Sequence, residues 1–137
     1  MSLSDTERTV IVGLELEKAH KTFAQAEAMC KAGFWDGAAN RLYYAVFHAV
    51  NALFIRDKYT VNTHRGSHAL FSQVYVKSGM LPADSGRLYN QLQSMREESD
   101  YNCSYNATPE EIEAKVEPAR QLIDAIDQLV NNPNPTI

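Results

Sequence analysis

Apolar positions along this chain recur at steps of three and four, and alternating apolar and polar runs are scarce, so the pattern predicts helices and no strand. Ser4-Asp-Thr-Glu7 reads as a capping box, with Ser4 and Glu7 each able to satisfy a free backbone N–H at a helix start. From there Val12, Leu16, Ala19, Phe23, Ala26 and Cys30 line one face of a first helix that runs until Gly33. The second segment, about Phe34 to Lys58, is apolar around nearly its whole circumference, which predicts a helix in the middle of a bundle.

A loop over Thr60 to Thr63 precedes a third helix, His64 to about Lys77, with Leu70, Val74 and Phe71 expected inward and Ser78-Gly79 ending it. A fourth helix is expected from about Ala83 to Asp100 with Leu88, Leu92, Met95 and Ser99 on its inner face. Thr108-Pro-Glu-Glu111 then combines an N-cap threonine, a proline at the first helical position and a reciprocal capping glutamate. In the last helix Ile112, Val116, Ala119, Ile123, Ile126 and Val130 form the stripe, and Pro118 inside it predicts a bend or local break.

The expected class is therefore all-α, an antiparallel up-and-down bundle of four to five helices. One domain over residues 4–131 is expected, with a disordered tail over 132–137. At 137 residues such a domain buries a core without disulfides or metals. The longest apolar stretch, Ala45 to Ile55, is too short to cross a bilayer, and the first residues lack the basic-then-apolar order of a signal peptide, so a cytoplasmic protein with no membrane contact is expected. Cys30 and Cys103 have no paired spacing and are expected as reduced thiols.

Charge narrows the function. A net charge of −4 argues against an indiscriminate phosphate-binding surface, so any nucleic-acid site has to be local. The candidate is a polar stripe on the otherwise apolar second helix, Arg41, Tyr44, His48 and Asn51, spaced three, four and three. Arg96 and Asp100 share a face of the fourth helix, followed by Tyr101 and Asn102. One reading pairs Asp100 or Glu97 with Arg41 or Arg96 as a register-setting ion pair. The other has these groups line a cleft, often at a subunit boundary, where arginine recognises phosphate. His64 and His68, four apart, have no third ligand beside them, so no metal site is expected. No glycine-rich phosphate loop or Gly-x-Ser-x-Gly elbow occurs, and no cofactor is expected.

The order of these blocks carries a resemblance. Ala39-Asn-Arg-Leu-Tyr-Tyr-Ala-Val-Phe-His-Ala49, then Thr63-His-Arg-Gly66, then Arg96-x-x-x-Asp100-Tyr101 and finally Thr108-Pro-Glu-Glu, resembles the HEPN domain over about residues 20 to 130. The resemblance implies a helical bundle that often forms a homodimer. Its members act as RNA-cleaving toxins, as partners of minimal nucleotidyltransferases in toxin–antitoxin systems, or as modules that bind RNA or nucleotide without catalysis. Catalytic members pair an arginine with a histidine, with four to six residues between the two. Here Arg96 matches the arginine, whereas Tyr101, Asn102 and Cys103 stand where the histidine is expected. An ordinary phenol, with a pKa near 10, is a poor base at pH 7. The expected function is thus a binding module centred on Arg41 and Arg96, with His64 and Arg65 as secondary candidates. The alternatives are a metal-independent endoribonuclease using Arg96 with Tyr101 or another unusual proton carrier, and a purely structural dimer.

Overall fold

The computed structural model describes residues 3–132. Five α-helices follow one another, α1 (Asp5–Ala32), α2 (Trp35–Arg56), α3 (His64–Phe71), α4 (Ser85–Tyr101) and α5 (Pro109–Asn131), with no strand among the described residues. The expected all-α bundle is what forms. The tail expectation for 132–137 lies, apart from Asn132, outside the described residues.

Helix α2 is the central rod. Ala38, Leu42, Ala45, Val46, Ala49, Val50 and Leu53 are fully enclosed, and each buried Leu or Val stabilises by roughly 1.5–3 kcal/mol. Alanines at 19 and 26 on α1 and at 38, 45, 49 and 52 on α2 are buried, and their small side chains let these two helices pack closely along their length. Gly33, with φ 82°, turns the chain from one into the other, a left-handed position that favours glycine.

After α2 the chain doubles back. Lys58 adopts φ 67°, and Tyr59 N–H donates to Phe54 O, closing the helix end. His64 then lies against Tyr43 and Phe47, while Tyr75 lies against Phe54, so α3 runs beside α2 in the same sense. Helix α4 runs opposite to α2, with Asp100 beside Asn40.

Directly after α3, residues Ser72–Val76 form a π turn in which Lys77 N–H donates to Ser72 O. The extra residue per turn changes which side chains face inward: Phe71 and Tyr75 are buried, and Leu70 and Val74 are only partly so. Tyr75 Oη donates within 2.6 Å of Asp57 Oδ2 and lies 3.2 Å from Leu53 O, tying this turn to the end of α2.

Helix α4 also presents a different face from the one its aliphatic spacing predicts. Ser85, Gly86, Tyr89, Leu92 and Arg96 are buried, with Leu88, Met95 and Ser99 at the flank. The helix rotates because the aromatic tier on α2 and α3 receives Tyr89 and Arg96. Helix α5 continues unbroken through Pro118, which is exposed. Thr108 Oγ1 accepts from Glu111 N–H as expected, but the Glu111 carboxylate accepts from Tyr105 Oη instead of returning to the cap. The capping box at Ser4 and Glu7 is complete.

At one pole of the bundle two arginines cover helix ends. Arg8 Nη1 donates to Ile55 O at 2.6 Å and Arg56 Nη1 to Leu129 O at 2.8 Å, each placing a cation on terminal carbonyls.

Candidate functional site

The opposite pole holds the polar cluster. Arg96 projects from α4 onto α2 and is 4% exposed. Its guanidinium carbon lies 5.1 Å from the Tyr43 ring centroid, 5.6 Å from Tyr44 and 5.6 Å from Tyr101, all within cation–π range. Its Nη1 donates to Tyr101 Oη at 3.2 Å. Its nearest carboxylates are distant for ion pairs, Asp100 at 3.9 Å and Glu97 at 4.0 Å, and its buried Nε has no hydrogen-bond partner. Tyrosine faces, more than carboxylates, hold this cation.

Arg41 reaches the same group from the other side, 5.7 Å from the Tyr44 ring. It does not pair directly with Asp100. Asn40 stands between them: its Oδ1 accepts from Arg41 Nε and Nη2, and its Nδ2 donates to Asp100 Oδ2 at 2.9 Å. The polar stripe of α2 therefore divides. Arg41 and Tyr44 meet Arg96, Asp100 and Tyr101. His48 turns to Glu15 on α1, 3.3 Å away, and Asn51 faces a small recess with Phe47, Val61 and Thr63.

His64, at the start of α3, joins the Arg96 group. A cleft of about 430 Å³ is lined by Tyr44, His64, Arg96, Glu97, Glu98, Tyr101 and Asn102. His64 Nδ1 lies 2.6 Å from Tyr43 Oη. Burial raises the Tyr43 pKa far above the ordinary tyrosine value, so its phenol stays protonated. Either the phenol or the imidazole can donate in this bond, according to the tautomer. Burial and then the Arg96 charge lower the His64 pKa, so the ring is neutral at physiological pH. Asn102 donates to Glu98 and accepts from Ser104 N–H, ordering the exit from α4. Arg65 is exposed and makes no side-chain hydrogen bond among the described residues.

Beneath the cleft, His68 stacks on Tyr89 with centroids 3.7 Å apart, and Tyr89 stacks on Tyr43 at 5.7 Å. Burial pushes the His68 imidazole down to about 4 against the opposing pull of the Asn90 and Gln93 side chains, and neither ring nitrogen makes a well-formed hydrogen bond. Among the described residues no group of three or more His, Cys, Asp or Glu is placed to hold a metal. No described helix is long and apolar enough to cross a membrane.

The family model described as the HEPN domain matches residues 13–129. The chain belongs to the HEPN family. A UPF0332 protein of Thermotoga maritima is 27% identical over 92% of this chain and 96% of its own length. A "putative toxin" of Methanocaldococcus jannaschii is 28% identical over 72% of this chain and 67% of its own. A second UPF0332 protein, from Archaeoglobus fulgidus, is 31% identical over 64% and 70%. This HEPN chain is thus similar both to UPF0332 proteins and to a protein whose name is that of a "putative toxin".

Sequence reasoning missed Asn40, the link between Arg41 and Asp100, and treated Tyr43 only as core. Asn40 precedes Arg41 in an otherwise apolar helix, and a polar neighbour at such a point was the available signal. Tyr43 carries no such signal, because its hydroxyl partner is 21 residues away in sequence.

Proposed function

We propose that this protein is a toxin-related HEPN binding module that works as a homodimer and holds a phosphate-bearing ligand, a nucleotide or an RNA end, in the cleft around Arg96. The observation that carries this reading is a guanidinium seated on tyrosine rings with no carboxylate closer than 3.9 Å. A cation so placed keeps its attraction for an incoming phosphate, which a tight ion pair would have neutralised. The neutral His64 imidazole and the Tyr44 ring, both in the lining, add a hydrogen-bonding group and a stacking surface. Tyr101, 76% exposed, covers the guanidinium through one long hydrogen bond and is the side chain that moves aside.

Glu97, Glu98 and Asp100 surround this cation. Their charge opposes a polyphosphate track and limits the ligand to one or two phosphates. The toxin-named relatives support a toxin–antitoxin setting, in which a minimal nucleotidyltransferase is the expected partner and a cytoplasmic location follows. Titration of the protein with AMP, GDP and a 5′-phosphorylated dinucleotide RNA tests the reading. Arg96→Met is expected to weaken binding at least tenfold with the fold intact. Equal binding by both proteins defeats it.

Metal-independent RNA cleavage is a second reading, favoured by His64 sharing the cleft with Arg96. It requires His64 Nε2 to accept a proton, which the neutral ring does in the tautomer whose Nδ1–H donates to Tyr43 Oη. Intact total RNA after incubation with the wild-type protein, and normal growth on induced expression, would dispose of it.

A further inference from the structure

A second concavity lies away from the Arg96 cleft. It is a trough of about 850 Å³ with α4 as its floor, the π turn after α3 as one wall and α5 as the other. The α4 residues that line it between Gly86 and Met95 span about 14 Å at helical rise, the length of two to three turns of a guest helix. Val76, Ala83, Met95 and Ala114 supply an apolar lining. Three cations, Lys77, Arg87 and Lys115, stand around it.

These cations carry no tight ion pair. Arg56, Arg96 and Arg120 each have a carboxylate within 4.0 Å, whereas none of Lys77, Arg87 and Lys115 has one among the described residues. Lys115 donates only to the neutral Gln91 at 2.7 Å. Glu111 is the one carboxylate in the lining, and it accepts from Tyr105. In a chain of net charge −4 this leaves a locally cationic, apolar-lined trough.

We infer that the trough is a docking site for an acidic amphipathic helix of a partner protein, with the guest's apolar stripe on Val76, Met95 and Ala114 and its carboxylates on Lys77, Arg87 and Lys115. The charge pattern chooses the sign of the guest, and the apolar lining chooses a helix with a hydrophobic stripe. RNA fits less well, because the lining has no aromatic ring for a base to stack on. The inference is independent of the Arg96 cleft.

The test titrates the full chain, isotope-labelled for amide NMR, with three synthetic 14-residue peptides and one RNA decamer. The first peptide carries leucines at i, i+3, i+4 and i+7 flanked by glutamates, the second has lysine for every glutamate, and the third is a scramble of the first. The acidic amphipath is expected to shift residues of the π turn, α4 and the first turns of α5, and to bind at least tenfold more tightly than the other two peptides. Lys77→Glu/Arg87→Glu/Lys115→Glu is expected to lose that binding at least tenfold. Met95→Gln, which keeps the charges, is expected to lose severalfold. No shift with the acidic peptide, equal binding of the scramble, tighter binding of the RNA at the same residues, or shifts that instead follow protein concentration and report a second copy of this chain would each overturn the inference.

Discussion

Replacing Arg96 by methionine separates a cation kept for a ligand from one kept for the fold. The substitution removes three tyrosine contacts at 5.1, 5.6 and 5.6 Å. Such contacts contribute about 0.5–2 kcal/mol each, the lower end for the exposed Tyr101. It also removes a buried Nε without a partner, a group whose burial costs about 1–3 kcal/mol. The carboxylates left behind are not stranded, because Asp100 and Glu97 side chains are 27% and 53% exposed. The penalty of roughly 3–5 kcal/mol for breaking a buried ion pair therefore does not apply. Methionine fills the channel between the rings, and its sulfur packs favourably on them. The opposing effects nearly cancel, so urea denaturation is expected to place Arg96→Met within about 1.5 kcal/mol of wild type. A loss of about 3 kcal/mol or more would refute the reasoning and make Arg96 a structural cation.

Burial holds the His68 pKa at about 4, below its ordinary value near 6.5. A depressed folded-state pKa contributes stability that is present above pH 6.5 and is lost as pH falls towards 4, by up to about 3 kcal/mol. Across this window the urea midpoint of the wild type is expected to fall relative to that of His68→Phe as pH drops, and a constant difference would count against it. Because Asn40 mediates the contact, a double-mutant cycle of Arg41→Ala with Asp100→Ala is expected to give coupling below about 0.5 kcal/mol, and Asn40→Ala with Asp100→Ala about 1 kcal/mol. The reverse order would show a direct charge interaction. A Cβ at Gly86 would stand 2.6 Å from Ser72 Oγ, so Gly86→Ala is expected to cost about 1–3 kcal/mol, with Ser72→Ala restoring most of it in thermal melts.

Helix positions were legible because each follows from local chemistry. The capping residues Ser4 and Thr108, the terminating Gly33 and the wholly apolar α2 each fix one element without reference to any other. The π turn at Ser72–Val76 was not legible, since its stabilising bonds from Tyr75 reach back to Leu53 and Asp57. The rotation of α4 is likewise a tertiary effect: its aliphatic spacing favours Leu88 and Met95, and the aromatic tier contributed by Tyr43 and His68 favours Tyr89 and Arg96. At the candidate site the face shared by Arg41 and Tyr44 could be read from spacing. The departure of His48 towards Glu15 could not, because periodicity tells which residues neighbour one another on a helix but not which partner helix each one meets.

The arginine clasps of Arg8 on Ile55 O and Arg56 on Leu129 O make the molecule asymmetric in how it loosens. They join the first turn of α1 to the last turns of α2 and α5, so fraying at any one of these ends breaks a link to another. The 102–108 connection at the far pole has no comparable clasp among the described residues. Amide exchange should therefore be slow at the clasped pole and fastest beside Tyr101, which gives the phosphate cleft local freedom while the opposite end anchors the barrel of helices.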